Sequence, residues 1–391
     1  MFKQLKIVIF LRVVIFLASK KLNIAMFGHK RVPSREGGVE IVVGELAKRM
    51  AAEGHLVTLF NRSEQYVKIE DHNNETVEYR NVTIKEVFTV NKRGLAAMTS
   101  SVFASIEAAF GNYDVVHIHA EGPAFMCWLP KLMGKKVIVT IHGLDWDRAK
   151  WGKFASWYIR QGEKNAVRFA DRIIVLSKNV KDYFWEKYHR ETEFIPNGVN
   201  KPKIKEAKEI TSRWGLHKDE YILYLGRIVP EKGEHYLIEA FKQLTTDKKL
   251  VIAGGSSDTD EYMTYLKELA KDDDRIIFTG FVQGKLLEEL YSNSYIYVLP
   301  SDLEGMPLSL LEAMSYGNCC VVSDIPECKE VVEDKAVTFE KGKIDKLRMV
   351  LTKLVDDETS VYKYKDSATS FITEKYNWND VVEKTVGVYT L

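Results

Sequence analysis

Arg227 and Lys232 stand five residues apart in the segment GRIVPEKG (226–233). Glycines at Gly226 and Gly233 let the backbone N–H groups of such a loop approach a ligand closely. An arginine can grip a diphosphate through two parallel hydrogen bonds, and a lysine adds a compact point charge. A solvated surface turn carries the same residue types, so the pattern alone leaves both readings open.

A second constellation lies about 70 residues on, in EGMPLSLLEAM (304–314). Leu308, Leu311 and Met314 are spaced as one apolar stripe of a helix, and Pro307 suits its first turn. Glu304 then stands just before the helix and Glu312 about two turns into it. A carboxylate so placed can accept two hydrogen bonds from sugar hydroxyls, and the N–H groups of Gly305, Met306, Pro307's neighbour Leu308 and the rest of the first turn can meet an oxyanion. Taken singly, each glutamate could equally be a cap or an exposed helix residue.

The elements that must hold these residues are legible as an alternation. From Leu22 the first half reads as strands at 22–28, 55–60, 113–119, 135–142 and 171–177, with helical stretches between them; the clearest helix covers 39–52. The second half repeats the pattern at 221–226, 249–254, 275–280, 294–300 and 318–324. Alternation of this kind predicts an α/β chain of two doubly wound parallel sheets. The break falls at IPNGVNKPKIKE (195–206), where prolines, Asn-Gly and lysines replace periodicity. The expected units are a leader at 1–21, a first domain at 22–199, a second at 200–377, and a terminal helix at 378–391 leaning back on the first. Facing sheets of this type open their ligand crevice outside the carboxyl ends of the strands, so chemistry is expected between the domains.

Composition excludes several classes. The chain has 391 residues, 46% of them hydrophobic and 28% charged, without the low complexity of a disordered scaffold. Net charge is +1, but residues 1–200 hold 30 Lys and Arg against 21 Asp and Glu, and the rest 26 against 34. The basic half suits a membrane or a phosphorylated substrate; its cations follow no nucleic-acid-binding motif, so nucleic acid is not an expected partner. Cys127, Cys319, Cys320 and Cys328 form neither a disulfide framework nor a Cys-x-x-Cys pair, and the vicinal pair reads as strand core. Gly-x-Gly-x-x-Gly is missing after both first strands, against a nicotinamide enzyme. The run Ile7 to Ala18 is interrupted by Arg12 and flanked by lysines, too short to span a bilayer. It reads either as an interfacial anchor or as a leader without a role.

Taken together, GRIVPEKG, EGMPLSLLEAM and SDIPECKEVV (323–332) resemble the retaining nucleotide-sugar glycosyltransferases of family 4, the group 1 glycosyl transferases with the GT-B fold. GHKRVPSREGGVE (28–40) resembles the family's Gly-Gly loop, and IPNGV (195–199) its hinge. IHGLDWDRAKW (141–151) resembles a subgroup with rhamnosyl- and hexosyltransferases of bacterial polysaccharide assembly. The resemblance covers Leu22 to the C-terminus. Met306-Pro307 stands where Phe-Gly is more usual, and Asn318-Cys319-Cys320 replaces a proline-containing turn.

The resemblance implies roles. Arg227 and Lys232 would hold the donor diphosphate, Glu304 the donor sugar hydroxyls, and Glu312 the ribose. Gly37 and Gly38 would bring backbone to the donor phosphates, with Gly226, Gly305, Met306, Pro307 and Leu308 completing the donor site. His142 would contact the sugar near its reacting carbon; a lone strand-end histidine is otherwise more often structural. Glu40, His119 and Glu121 are candidates for acceptor contact. The donor would be a UDP-, GDP- or dTDP-sugar, and the acceptor a saccharide, free or on a polyprenyl diphosphate. The implied setting is the cytoplasm, against the anionic inner membrane surface. No cofactor or metal is implied: Asp-x-Asp at Asp145/Asp147 and Asp258/Asp260 lies in a Trp/Arg/Lys-rich segment and at a helix start. The competing reading is a non-catalytic or nucleic-acid- or anion-binding two-domain α/β protein. Presence of all four of Arg227, Lys232, Glu304 and Glu312 argues against it.

Overall fold

Short runs of β-branched and aromatic residues, buried on both faces, can only be satisfied inside a helix-covered sheet. The structure, a computed structural model describing residues 21–63, 79, 81–90, 92, 94–144, 146, 152–256 and 260–391, contains two of them. The first sheet is built from β1 (Asn23–Phe27), β2 (Leu56–Arg62), β3 (Val82–Val87), β4 (Val115–His119), β5 (Lys136–Ile141), β6 (Arg172–Val175) and β7 (Glu193–Phe194), in the order β3-β2-β1-β4-β5-β6-β7. The second holds β8 (Tyr221–Leu225), β9 (Lys249–Ala253), β10 (Ile276–Gly280), β11 (Ile296–Leu299), β12 (Cys319–Ser323) and β13 (Val337–Phe339), in the order β10-β9-β8-β11-β12-β13. All pairings are parallel, with Ile24 opposite Val115 and Ile296 opposite Ile222 at the two points where strand order reverses. Those reversals, β1/β4 and β8/β11, are where such sheets open a crevice.

Three strands have little signature in sequence. In β3 the four central residues, Thr83 to Glu86, are exposed, so this edge strand lacks an apolar alternation and is held by its ladder to β2. β7 and β13 have two and three residues, below the length at which periodicity registers. Residues 1–20 of the 1–21 leader, the candidate anchor, lie outside the described residues, as do Asp145, Asp147 and Asp258.

The chain crosses between the domains twice, side by side. The Val199 N–H donates to the Tyr376 carbonyl at 2.6 Å, next to a bridge between Val199 and Asn377. The final helix, Trp378–Thr390, then lies against the first domain, where the Tyr389 hydroxyl meets His117 Nδ1 at 2.7 Å. All four cysteines are buried and free, and Cys319 and Cys320 are core residues of β12. Among the described residues no helix is long and apolar enough to cross a membrane.

Candidate active site

A crevice of about 580 Å³ lies between the domains, lined from the first by Lys30, Arg35, Gly37, Gly38 and His142, and from the second by Gly226, Arg227, Lys232, Glu304 to Ser309 and Glu312. Each residue arrives there because a strand ends. β8 stops at Leu225, and the loop carrying Arg227 turns through a short helical segment, Pro230–Lys232, into the helix Glu234–Lys242. Gly233 makes that turn at φ +72°, and a Cβ there would fall 2.2 Å from the Pro300 carbonyl oxygen, so only glycine fits. The hairpin brings Lys232 onto the residues that follow β11.

Lys232 Nζ donates to Glu304 Oε1 at 2.5 Å, and the Ser301 hydroxyl donates to the same oxygen at 2.7 Å. Lys232 and Glu304, expected on different parts of one ligand, thus form a nearly buried ion pair on the crevice wall, at 13% and 6% side-chain exposure. Glu312, one turn into the helix Leu308–Ser315, takes the Tyr291 hydroxyl on Oε2 at 3.2 Å and the Arg35 guanidinium of the other domain on Oε1. Pro307 is the N-cap of that helix, not a first-turn residue, and no side chain caps its N-terminus; the same is true of Gly37 before the helix Gly38–Ala52. Both helices therefore offer backbone N–H groups to the crevice.

The domains meet where side chains are missing. A Cβ on Gly305 would lie 1.7 Å from the His142 carbonyl oxygen, and one on Gly143 would lie 3.1 Å from Gly305 Cα. Met306 is tied to the hinge, its sulfur accepting from the Asn197 N–H at 3.0 Å.

Behind His142 stands a stack of histidines. His142 Nε2 and His119 Nδ1 share a hydrogen bond of 3.1 Å, and the His119 ring lies 4.1 Å from that of His117. Burial, with the neighbouring imidazoles as a lesser cause, lowers His119 well below its usual range and His117 to about 3. His29, hydrogen-bonded to Asn61 at 2.9 Å, is lowered by burial to about 4. These inner rings are neutral near pH 7.

The three candidates for acceptor contact do not reach the crevice surface. Glu40 turns back to accept the Lys30 N–H at 2.8 Å, closing its own loop, while His119 and Glu121 are fully buried. A polar residue at a strand end looks alike in sequence whether it faces the ligand or supports the residue that does. Two lining cations, Lys30 and Arg35, were not singled out by the sequence reading. The signal was present: Arg35 precedes the Gly37-Gly38 pair just as Arg227 follows Gly226. Among the described residues no group of three or more His, Cys, Asp or Glu could hold a metal ion.

The comparisons with known proteins agree with this geometry. A model described as "Glycosyl transferases group 1" matches residues 206–378, and one described as "Glycosyltransferase Family 4" matches 36–201. The chain belongs to the group 1 glycosyltransferases. This glycosyltransferase is 25% identical over 403 residues to a glycosyltransferase of Methanocaldococcus jannaschii, covering 95% of this chain and 98% of the relative. It is 28% identical over 268 residues to the UDP-Gal:alpha-D-GlcNAc-diphosphoundecaprenol alpha-1,3-galactosyltransferase of Escherichia coli, covering 63% of this chain and 67% of that enzyme. Its GT-B fold is shared with Anabaena HepE, solved with UDP and glucose, at a TM-score of 0.78 and 16% identity over 94% of this chain and 99% of the other.

Proposed function

We propose that this glycosyltransferase moves a hexosyl or deoxyhexosyl group from a nucleoside diphosphate to a hydroxyl of a saccharide, with retention of anomeric configuration. The acceptor is carried on a polyprenyl diphosphate at the cytoplasmic face of the membrane, in the assembly of a capsule, exopolysaccharide or other cell-surface glycan. The observation that carries this reading is the Lys232–Glu304 pair on the crevice wall, between uncapped helix N-termini and beside Arg227. It sets a fixed cation next to a fixed hydroxyl acceptor, which is what a sugar diphosphate presents in complement.

Charge dictates the mechanism. Cleaving the bond between the anomeric carbon and the diphosphate oxygen develops negative charge on the leaving group and oxocarbenium character on the sugar. Arg227, Lys232 and the backbone N–H groups of Gly37, Gly38, Gly305, Met306 and Leu308 stabilise the former without reorganising. The acceptor hydroxyl attacks the face that the diphosphate leaves, and its proton passes to a departing phosphate oxygen, so no separate carboxylate nucleophile is required. His142, held from behind by His119, addresses the sugar. The Escherichia coli relative, named for a UDP-galactose donor and a lipid diphosphate acceptor, supports the donor and acceptor classes.

A thermal-shift panel of nucleoside diphosphates and their sugars tests the reading. One base among uridine, guanosine and thymidine diphosphates is expected to raise the melting temperature, because a ligand of the folded state alone stabilises it. A panel without any shift refutes the donor site.

A further inference from the structure

The helix Lys153–Phe169 follows β5 and turns Tyr158, Ile159, Gly162, Glu163 and Ala166 inward. A Cβ on Gly162 would lie 1.9 Å from the carbonyl oxygen of Glu121, just past β4, so this part of the helix is level with the carboxyl edge of the sheet. At 1.5 Å per residue, the residues before Gly162 add about 13 Å of helix past this contact. Its N-terminal turns therefore stand as a rim on the first domain's side.

The outward face has an unusual composition. Lys153, Phe154, Trp157, Arg160, Lys164 and Arg168 are all exposed and share one stripe about 120° wide at 3.6 residues per turn. Four are cations and none is an anion. The acidic residue of this helix, Glu163, is fully buried on the other side, where it accepts from Trp146 Nε1, Tyr183 and Lys187. Phe154 and Trp157 are 63% and 52% exposed and stack on each other at 5.9 Å between ring centroids. Two adjacent large rings in water cost free energy that a contact would recover, and a purely electrostatic ligand does not ask for them. Rings beside a row of cations match the boundary between anionic headgroups and acyl chains.

We infer that this face docks the enzyme on an anionic phospholipid bilayer. Phe154 and Trp157 enter the headgroup boundary, and Arg160, Lys164 and Arg168 lie along lipid phosphates. The inference rests on the lipid-carried acceptor of the proposed function and adds the surface that meets the lipid. With the rim on the bilayer, a saccharide on a lipid diphosphate reaches the His142 side of the crevice without its tail leaving the membrane.

The test uses the full chain and sedimentation with vesicles of phosphatidylcholine, alone or mixed equally with phosphatidylglycerol, at low salt. Wild type is expected to bind the mixed vesicles, and Phe154→Ser/Trp157→Ser and Arg160→Glu/Lys164→Glu are each expected to lose roughly tenfold or more of that partitioning. None of these residues lines the crevice, so the nucleoside diphosphate thermal shift stays as in wild type. Independently, brominated acyl chains are expected to quench tryptophan fluorescence in wild type, and Trp157→Phe to remove most of the quenching. Undiminished binding by both double variants, or quenching equal in Trp157→Phe, overturns this face and leaves the membrane reading standing. A wild type that ignores phosphatidylglycerol vesicles overturns both, while the thermal-shift panel still decides the donor site.

Discussion

Arg35 and Glu312, 277 positions apart in sequence, are ion-paired across the crevice. Attraction to Glu312 is the main reason the Arg35 guanidinium is held even above its usual range. Lys232 is ion-paired to Glu304 within the second domain. Each glutamate proposed to hold donor hydroxyls is thus already neutralised by a cation, one from its own domain and one from the other.

If Glu312 binds ribose, the diol must displace Arg35. Arg35→Met is therefore expected to tighten binding of the free nucleoside, by up to about tenfold if one charge-assisted hydrogen bond no longer competes. Calorimetric titration checks this. Unchanged nucleoside affinity would mean that Glu312 does not hold the ribose.

Glu304 and Glu312 are expected to separate kinetically. In the proposed roles Glu304 addresses the sugar, whose charge changes in the transition state, whereas the ribose held by Glu312 is the same throughout. Glu304→Gln should lower turnover with modest change in donor affinity, and Glu312→Gln should mainly raise donor KM, by about tenfold. Loss of nucleoside diphosphate binding in Glu304→Gln alone reverses the assignment.

Arg227→Ala and Lys232→Ala are each expected to cost on the order of 10²-fold in turnover as fixed electrostatic stabilisers of the leaving group. Lys232→Ala also strands a buried carboxylate, so Lys232→Met/Glu304→Gln should melt above Lys232→Ala. For the same electrostatic reason transfer is expected to persist in EDTA; activity lost to EDTA and restored by Mg²⁺ would replace these cations as the main stabiliser.

Gly305→Ala tests closure. Its Cβ would sit 1.7 Å from the His142 carbonyl oxygen, a contact between two backbones that no side-chain rotation relieves. The variant is expected to fold, since the clash lies on the crevice wall and leaves the apolar core intact, but to scatter X-rays as a wider molecule and to lose turnover by 10²-fold or more. Normal turnover would show that catalysis does not need this approach.

Buried histidines limit stability in acid, His29 and His117 among them. Their pKa values fall from 6.5 to about 4 and about 3 in the folded chain. Unfolding therefore takes up protons below pH 6.5, and the stability these neutral rings provide above that value is lost progressively down to pH 3 to 4. At pH 5 each is expected to cost about 2 kcal/mol relative to pH 7. His117→Gln should flatten the stability profile between pH 6.5 and 4 in denaturant titrations; an unchanged slope would show that His117 does not carry it.

The sequence by itself determined the two sheets and the loops that carry Arg227, Lys232, Glu304 and Glu312. Those follow from local causes: strands buried on both faces are continuous apolar runs, and ligand loops must follow their carboxyl ends. It was silent on β3, whose exposed residues carry no alternation and whose existence rests on pairing with β2. Tertiary structure alone decided which strand-end polar residues face the crevice. His142 does, while His119 and Glu121 stand behind it and Glu40 folds back on Lys30. It also decided that Arg35 meets Glu312 and that Gly305 meets the His142 backbone. These are contacts between domains, set by the angle at which two separately folded bodies close, and no periodicity within either body encodes that angle.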